Sequence, residues 1–182
     1  NILNVPYANA HLEAEKTCAQ MCKEGIVDYV LSEDTDVLAY NTPRFLTKLD
    51  LSSDICMDIN INDVLDTIEM TYHQFRDLCI MCGTDYNNNI PRIGCETAYN
   101  ALVEYKDIEG VGENIKGADI SILNHVRVRE LFSFTEPCNV TMKYCGTPDF
   151  EKLEQFIFKN NLRVNKDKIK ESFENKQLVF ED

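Results

Sequence analysis

Apolar and polar positions along this chain fall into three patterns. A nearly continuous apolar run, Ile26-Val27-Asp28-Tyr29-Val30-Leu31, predicts a buried strand. Rough alternation of polar and apolar residues in Arg44-Phe45-Leu46-Thr47-Lys48-Leu49 and again in Ile55-Cys56-Met57-Asp58-Ile59 predicts two half-buried strands that pair. Helical spacing comes next. From about His11 to Lys23, Ala14, Cys18, Ala19, Met21 and Cys22 share a face, and Gly25 stands where a C′ glycine is expected. Asn60 or Asn62 caps a helix covering Val64, Leu65 and Ile68, and Thr71 caps another from Tyr72 to Cys82 with Phe75, Leu78, Cys79 and Cys82 on one face. Further helices are predicted over Glu96 to Tyr105, Ile120 to Phe132, Asp149 to Lys159 and Asn165 to Glu174. Ile2 to Tyr7 reads as a strand entering a loop, and Gly110, Gly112 and Gly117 as punctuation of a mobile loop. Strands gather in the first third and helices follow, so the expectation is an α/β fold with a partial sheet.

Composition narrows this picture. With 182 residues at 44% apolar the chain can bury a core, and its net charge of −13 argues against a free-standing basic nucleic-acid binder. The same charge suits a protein that gathers carboxylates around cations. Cys79 and Cys82 have a spacing that zinc sites use, but no second such pair exists and their surroundings read as a buried helix. Reduced, buried thiols in an intracellular protein are the reading we adopt. No signal peptide and no apolar run long enough to span a bilayer are present, so no membrane partner is expected. The chain opens on Asn1 without a methionine, and we expect an upstream part of the same protein.

Acidic residues then stand at the ends of the predicted elements. Ser32-Glu33-Asp34-Thr35-Asp36 follows the first buried strand and precedes a short helix beginning at Val37-Leu38-Ala39-Tyr40, the position where open α/β sheets place their sites. In extended backbone Asp34 and Asp36 face one way and Glu33 the other. Glu13 and Glu15 lie where a loop becomes helix; within a helix they would diverge by roughly 200°, while across its start both can aim at one point. Asp85 follows the helix stop at Gly83. Taken singly, each cluster reads equally well as a helix cap, a dipole partner or an ordinary loop residue. Brought together, the carboxylates would repel and raise each other's pKa values unless cations are present. Oxygen ligands without His or Cys suit Mg²⁺ or Mn²⁺, and two such ions can activate a water and stabilise the leaving oxygen of a phosphodiester. His11, His73 and His125 share no spacing and read as structural or surface residues.

Glu13-Ala14-Glu15, Ser32 to Asp36, Asp77-Leu78-Cys79-Ile80-Met81-Cys82-Gly83-Thr84-Asp85-Tyr86 and Ile90-Pro91-Arg92-Ile93-Gly94, in this order and spacing, resemble the internal region of flap endonucleases, the 5′ nucleases of the XPG family with a PIN-like core. Val5-Pro6-Tyr7, Phe134-Thr135-Glu136-Pro137 and Pro148-Asp149-Phe150-Glu151 extend the resemblance over essentially the whole chain. It implies a structure-specific 5′ DNA nuclease of flap-endonuclease and 5′-3′ exonuclease type, acting in replication and repair with two Mg²⁺ ions for which Mn²⁺ can substitute. Glu13 and Glu15 match the ligands of one ion, and Asp34, Asp36 and Asp85 those of the other. Residues 89–94 match a helix-two-turn-helix element, in which backbone carbonyls at Asn89, Ile90 and Ile93 would hold K⁺ against a duplex backbone beside Arg92 and Gly94. The implied organisation is the C-terminal half of a PIN-like core over 1–84, the duplex-binding element over 85–133 and a helical extension over 134–182. Implied partners are branched or flapped double-stranded DNA and the upstream segment, in a nuclear or other replication compartment. A sliding clamp is a further family partner, although Gln177-Leu178-Val179-Phe180 lacks the paired aromatics of a clamp motif.

Departures also carry information. Arg92 replaces the first of two glycines usual in the turn, and Cys95 and Glu96 stand where basic residues are common. Two further aspartates, a helical arch and basic residues of the family's N-terminal region are not in this sequence, so the chain by itself is expected to be inactive. Alternatives are a Holliday-junction or bubble-cleaving relative, a non-catalytic DNA- or protein-binding scaffold of the same fold, and an RNA-cutting PIN domain. The short run from Tyr86 to the late helices favours the flap and junction types.

Overall fold

A computed structural model describes residues 2–10, 13–134, 137–141 and 146–174. The expected helix start at His11, the middle of the Phe134–Pro137 motif and the Gln177–Phe180 tail lie outside the described residues. The chain divides into two compact units, one of residues 9–140 and one joining 1–8 to 141–182.

In the first unit, α1 (Ala14–Lys23) buries Ala19 and Cys22 and ends before Gly25, whose φ of 70° belongs to the left-handed region that only glycine enters cheaply. β1 (Val30–Leu31) is much shorter than the buried strand expected over 26–31. The N–H groups of Ile26 and Val27 turn back to the Met21 carbonyl, and only Val30 and Leu31 find ladder partners, opposite Phe45 and Leu46. Leu31 itself is 55% exposed, so the run is apolar without being buried throughout.

β2 (Arg44–Asp50) runs parallel to β1 and antiparallel to β3 (Ile55–Asn60), giving the sheet order β1-β2-β3. The expected hairpin is present, with Phe45 opposite Ile59. Its alternation is real only at the base: Phe45 and Thr47 are buried, and beyond them the ladder shifts register between Thr47 and Asp50 and runs into solvent. Val30, Val37, Phe45 and Cys22 form a small core between sheet and α1.

Helices build the larger core. Asn60 caps α2 (Ile61–Thr67) by accepting from the Asn62 N–H. Thr71 and Gln74 form a reciprocal capping box at α3 (Tyr72–Cys82). The face α3 buries is Asp77, Ile80 and Met81, with Leu78 and Cys79 at its margin, so the expected Phe75–Cys82 stripe is rotated. The buried Asp77 explains the rotation, because it receives an arginine from another helix. α4 (Cys95–Tyr105) buries Ala98, Ala101 and Leu102 against α3.

The expected glycine loop is instead α5 (Ile108–Asn114), capped by Asp107 through the Gly110 N–H. Its glycines serve close packing. A Cβ at Gly110 would lie 2.3 Å from the Tyr105 carbonyl oxygen, and one at Gly112 would lie 2.7 Å from Ile120 Cδ1. The single helix expected over 120–132 splits into a 3₁₀ turn, Ile120–Leu123, and α6 (His125–Leu131), because Asn124 adopts φ 46°. Leu123, Val128 and Phe132 close the core against Ile80, Leu102 and Ile108.

In the second unit, Ile2 to Tyr7 forms no strand. Its contacts are isolated: the Ile2 and Asn4 carbonyls accept from the Asp149 and Gly146 N–H groups, and Asn4 Nδ2 donates to the Thr147 carbonyl. Asp149 caps α7 (Phe150–Lys159), and α8 (Lys166–Glu174) meets it through an edge-on Phe150–Phe173 pair and a Lys166–Glu154 ion pair. Among the described residues no helix is long and apolar enough to cross a membrane.

Candidate active site

The acidic loop between β1 and the 3₁₀ turn Thr35–Tyr40 closes on itself. Ser32 Oγ accepts the Asp34 N–H at 3.0 Å, and Asp34 Oδ1 accepts the Asp36 N–H at 2.9 Å. Asp34 is therefore the cap of the turn, but this uses one of its carboxylate oxygens and leaves the other. Asp36 follows in the first turn and is partly buried. Burial pushes its carboxyl pKa up, and the neighbouring charges of Asp34, Asp85 and Glu15 push it further. These three carboxylates come from α1, the acidic loop and the loop after α3, and all act on one side chain. Glu33 is exposed and absent from that set. The extended backbone expected through Asp36 ends at Asp34, because Thr35–Tyr40 wind into the 3₁₀ turn.

Asp85 is held by a tight loop. Gly83, at φ 95°, ends α3, and a Cβ there would lie 3.3 Å from the Asn89 backbone nitrogen. Thr84 and Asn87 exchange backbone hydrogen bonds at 3.1 and 3.2 Å, and Asn87 Nδ2 ties the loop to the Ile80 carbonyl at 2.8 Å. Tyr86 then points inward and its hydroxyl meets that of Tyr40 at 2.8 Å. Both phenols are shifted up, chiefly by burial, and both also feel Glu13 and Asp36. This brings Glu13, at the extended N-cap position of α1, into the same region. The tyrosine pair was missed in the sequence. Its one signal there is that each tyrosine follows an acidic motif within a few residues.

The donor chemistry fits a hard divalent ion. The converging groups are carboxylate oxygens, Asp36 has its charge opposed by three others, and no described lysine or arginine pairs with it. Among the described residues no three His, Cys, Asp or Glu side chains approach closely enough to enclose a metal by themselves. An ion here would keep waters in its shell, which Mg²⁺ does readily. The thiols behave differently: burial holds Cys79 and Cys82 up to about 12, so both stay protonated at neutral pH.

The turn after Asp85 is anchored by two buried side chains, Ile90 and Ile93, whose backbones join through Ile93 N–H to the Ile90 carbonyl at 3.0 Å. Asn89 Nδ2 lies 3.5 Å from the Ile90 carbonyl oxygen and 3.4 Å from that of Ile93. Two of the three expected cation-binding carbonyls thus converge on one donor atom. Arg92 sits exposed at φ 70°, which accounts for glycine being the easier residue at this point. Gly94 caps α4, and Glu96 lies exposed in its first turn.

Residues 4–85 match the family model described as the XPG I-region. The "Probable RAD2-like endonuclease 369L" of Invertebrate iridescent virus 6 is 33% identical over 195 residues, covering 95% of this chain and 47% of that protein. Flap endonuclease 1-A of Sorghum bicolor is 36% identical over 180 residues, with the same coverage of 95% and 47%. Among solved structures, flap endonuclease-1 from Methanococcus jannaschii superposes with a TM-score of 0.76 at 26% identity, covering 93% of this chain and 52% of that one. The catalytic core of Rad2 gives 0.75 at 18% identity, a likeness of fold, over 91% of this chain and 66% of that one. The chain spans about half the length of the curated relatives it matches.

Proposed function

This chain belongs to the flap endonuclease/XPG family of nucleases, of whose PIN-like α/β core it carries an internal and C-terminal region, and on that premise we propose that it serves a structure-specific 5′ DNA nuclease. The observation that carries this is the Tyr40–Tyr86 hydroxyl contact at 2.8 Å, which joins the turn bearing Asp34 and Asp36 to the loop bearing Asp85. Glu13 and Glu15 would hold one Mg²⁺, and Asp34, Asp36 and Asp85 the other, in part through the ion's own waters, since no three of these side chains close on one point by themselves. When bound, such ions supply a nucleophilic water and stabilise the leaving oxygen of a phosphodiester.

The chain's own residues set the geometry. Asp34 fixes the turn that presents Asp36, and the Tyr40–Tyr86 pair holds the Asp85 loop beside it. The 89–94 turn would grip a duplex through its phosphates, which positions DNA without reading sequence. Convergence of the Ile90 and Ile93 carbonyls supports a K⁺ there, with Asn89 displaced. The substrate is then branched or flapped double-stranded DNA. Catalysis also needs the acidic and basic groups of an upstream segment, so these residues alone would bind metal and DNA but not cleave.

The test is a Mn²⁺ titration of this chain followed by calorimetry, beside Asp36→Asn and Asp85→Asn. Saturable binding that each variant weakens by roughly tenfold or more supports the reading. Equal binding in all three sinks it. Cleavage of DNA flaps, four-way junctions and RNA flaps by the full-length protein then assigns the substrate, and measured flap cleavage by this chain alone would overturn its dependence on an upstream segment.

A further inference from the structure

On a chain of net charge −13, one groove gathers cations. It lies between the C-terminal end of α1, the start of α3 and the segment after α6, and Lys23, Tyr72, Arg76 and Phe134 line it. The Lys23 ammonium stands 6.0 Å from the Tyr72 ring centroid and 5.5 Å from that of Phe134, and the Arg76 guanidinium stands 5.8 Å from Tyr72. Lys16 approaches Phe134 at 5.9 Å while donating to the Leu131 carbonyl. None of these three cations belongs to an ion pair observed among the described residues.

Arg76 is the incomplete member. Its Nε is buried without any hydrogen-bond partner, and Nη1 reaches only Ser133 Oγ, at 3.5 Å. The enclosed Nε is out of reach of a groove ligand, so a phosphate would meet the terminal nitrogens of Arg76, whose donors match phosphate oxygens in geometry. Among the described residues one carboxylate, Glu24, lines the groove, and it is turned to the Cys138 N–H at 3.0 and 3.1 Å and to Gln20 Nε2 at 2.8 Å. Cations interleaved with aromatic faces form the pattern by which proteins hold a phosphate and stack the attached base.

We propose that this groove binds the phosphate of a nucleotide unit, with Lys23 and Arg76 holding the anion and Tyr72 and Phe134 flanking the base. The site is separate from the acidic one. Lys23 ends the helix whose start carries Glu13 and Glu15, about 15 Å away along its axis. Phosphate binding here does not depend on the nuclease reading; only the supply of that phosphate by a DNA strand does.

Calorimetry in the presence of a chelator keeps the two sites apart, because divalent cations at the carboxylates cannot then recruit phosphate. Inorganic phosphate, thymidine 5′-monophosphate and a short oligothymidylate are titrated into this chain and into Lys23→Gln and Arg76→Gln. The mononucleotide is expected to bind about tenfold tighter than inorganic phosphate through stacking. Each variant is expected to weaken it by about tenfold, as loss of one charge-assisted contact does. Lys23 is exposed, so its variant keeps the fold even where Arg76→Gln does not. Oligothymidylate binding at least as tight as the mononucleotide identifies a strand as the source, and a preference for the mononucleotide identifies a free nucleotide; both support the site. No binding of any probe, or binding unchanged in Lys23→Gln, overturns it.

Discussion

Tyr40 and Tyr86 join their hydroxyls at 2.8 Å across a distance of 46 residues in sequence. Tyr40 ends the turn that begins with Asp34 and Asp36, and Tyr86 follows Asp85. Phe132 packs edge-on against both rings, with centroids 4.9 and 5.6 Å away. One hydrogen bond over an aromatic floor therefore sets the separation of the two acidic loops.

Tyr86→Phe removes one hydroxyl and leaves the buried Tyr40 hydroxyl without that partner. The expected loss is about 1–2 kcal/mol in denaturant unfolding, and the double variant Tyr40→Phe/Tyr86→Phe should lose less than the sum of the two single changes. Strict additivity would show that the pair is incidental. Mn²⁺ affinity should fall in Tyr86→Phe as well, through looser placement of Asp85.

Which parts were readable in advance follows from where the information lay. Thr71 and Gly83 announced their helix ends through local chemistry and these ends fell where expected, and of the two asparagines offered for the helix before them it is Asn60 that caps. The hairpin was legible because two short segments of mixed polar and apolar residues flank a polar stretch, and they pair with Phe45 opposite Ile59. The first strand was overread, since an apolar run records burial without recording whether a ladder partner exists for residues 26–29. Gly110 and Gly112 were misread because glycine signals either turn freedom or close approach, and only the Tyr105 and Ile120 contacts distinguish the two. The five carboxylates were legible as motifs, but the tyrosine latch and the cation groove were not. Both depend on side chains brought together from segments far apart in the chain.

Gly110→Ala separates those two meanings of glycine. Its φ is not in the left-handed region, so a loop glycine would accept the methyl group. Here the Cβ would collide with the Tyr105 carbonyl oxygen at 2.3 Å, backbone that cannot swing aside. The variant should unfold about 1–3 kcal/mol more easily, the usual range for overpacking. Stabilisation by Gly110→Ala, the usual result in an open helix, would contradict this packing.

Arg129 ties three helices together. Its Nε donates to Asp77 Oδ1 at 2.7 Å, its Nη1 and Nη2 donate to Glu109 at 2.6 and 2.8 Å, and Asp77 also accepts the Ile108 N–H. The Asp77 side chain is only 5% exposed, so Arg129→Met strands a buried charge and should cost about 3–5 kcal/mol. Arg129 also holds the Glu109 carboxyl down to about 2 from an ordinary 4.5. A lowered carboxyl pKa stabilises the fold above the unfolded value and ceases to as pH falls through the folded one. The stability gap between the natural chain and Glu109→Gln should be full above about pH 5, shrink from pH 4.5 downward and vanish near pH 2, as followed by urea unfolding across pH. A gap that is independent of pH would exclude the ion pair as its source.

Arg92→Gly distinguishes backbone strain from phosphate contact. At φ 70° an arginine costs roughly 1 kcal/mol more than glycine, so the variant should melt higher. If the exposed guanidinium also meets a duplex phosphate, the same change should weaken duplex binding at low salt and reduce the slope of log K against log salt by about 1. Higher stability with an unchanged slope would leave Arg92 a strained bystander.

Asp36→Asn tests the centre of the acidic cluster by opposite effects in two conditions. Without divalent cations, Asp36 is crowded by Asp34, Asp85 and Glu15, and neutralising it removes repulsion. The variant should therefore melt at or above the temperature of the natural chain in a chelator. With saturating Mn²⁺ the order should reverse, because a ligand bound only by the folded state stabilises it in proportion to log concentration, and the variant has lost an anionic donor. Glu33→Gln is the control: that side chain is exposed and outside the group acting on Asp36, so its loss of charge should change neither curve. A cation that stabilised Asp36→Asn as much as the natural chain would place the metal elsewhere, and the crowding of these carboxylates would then be unexplained by cation binding.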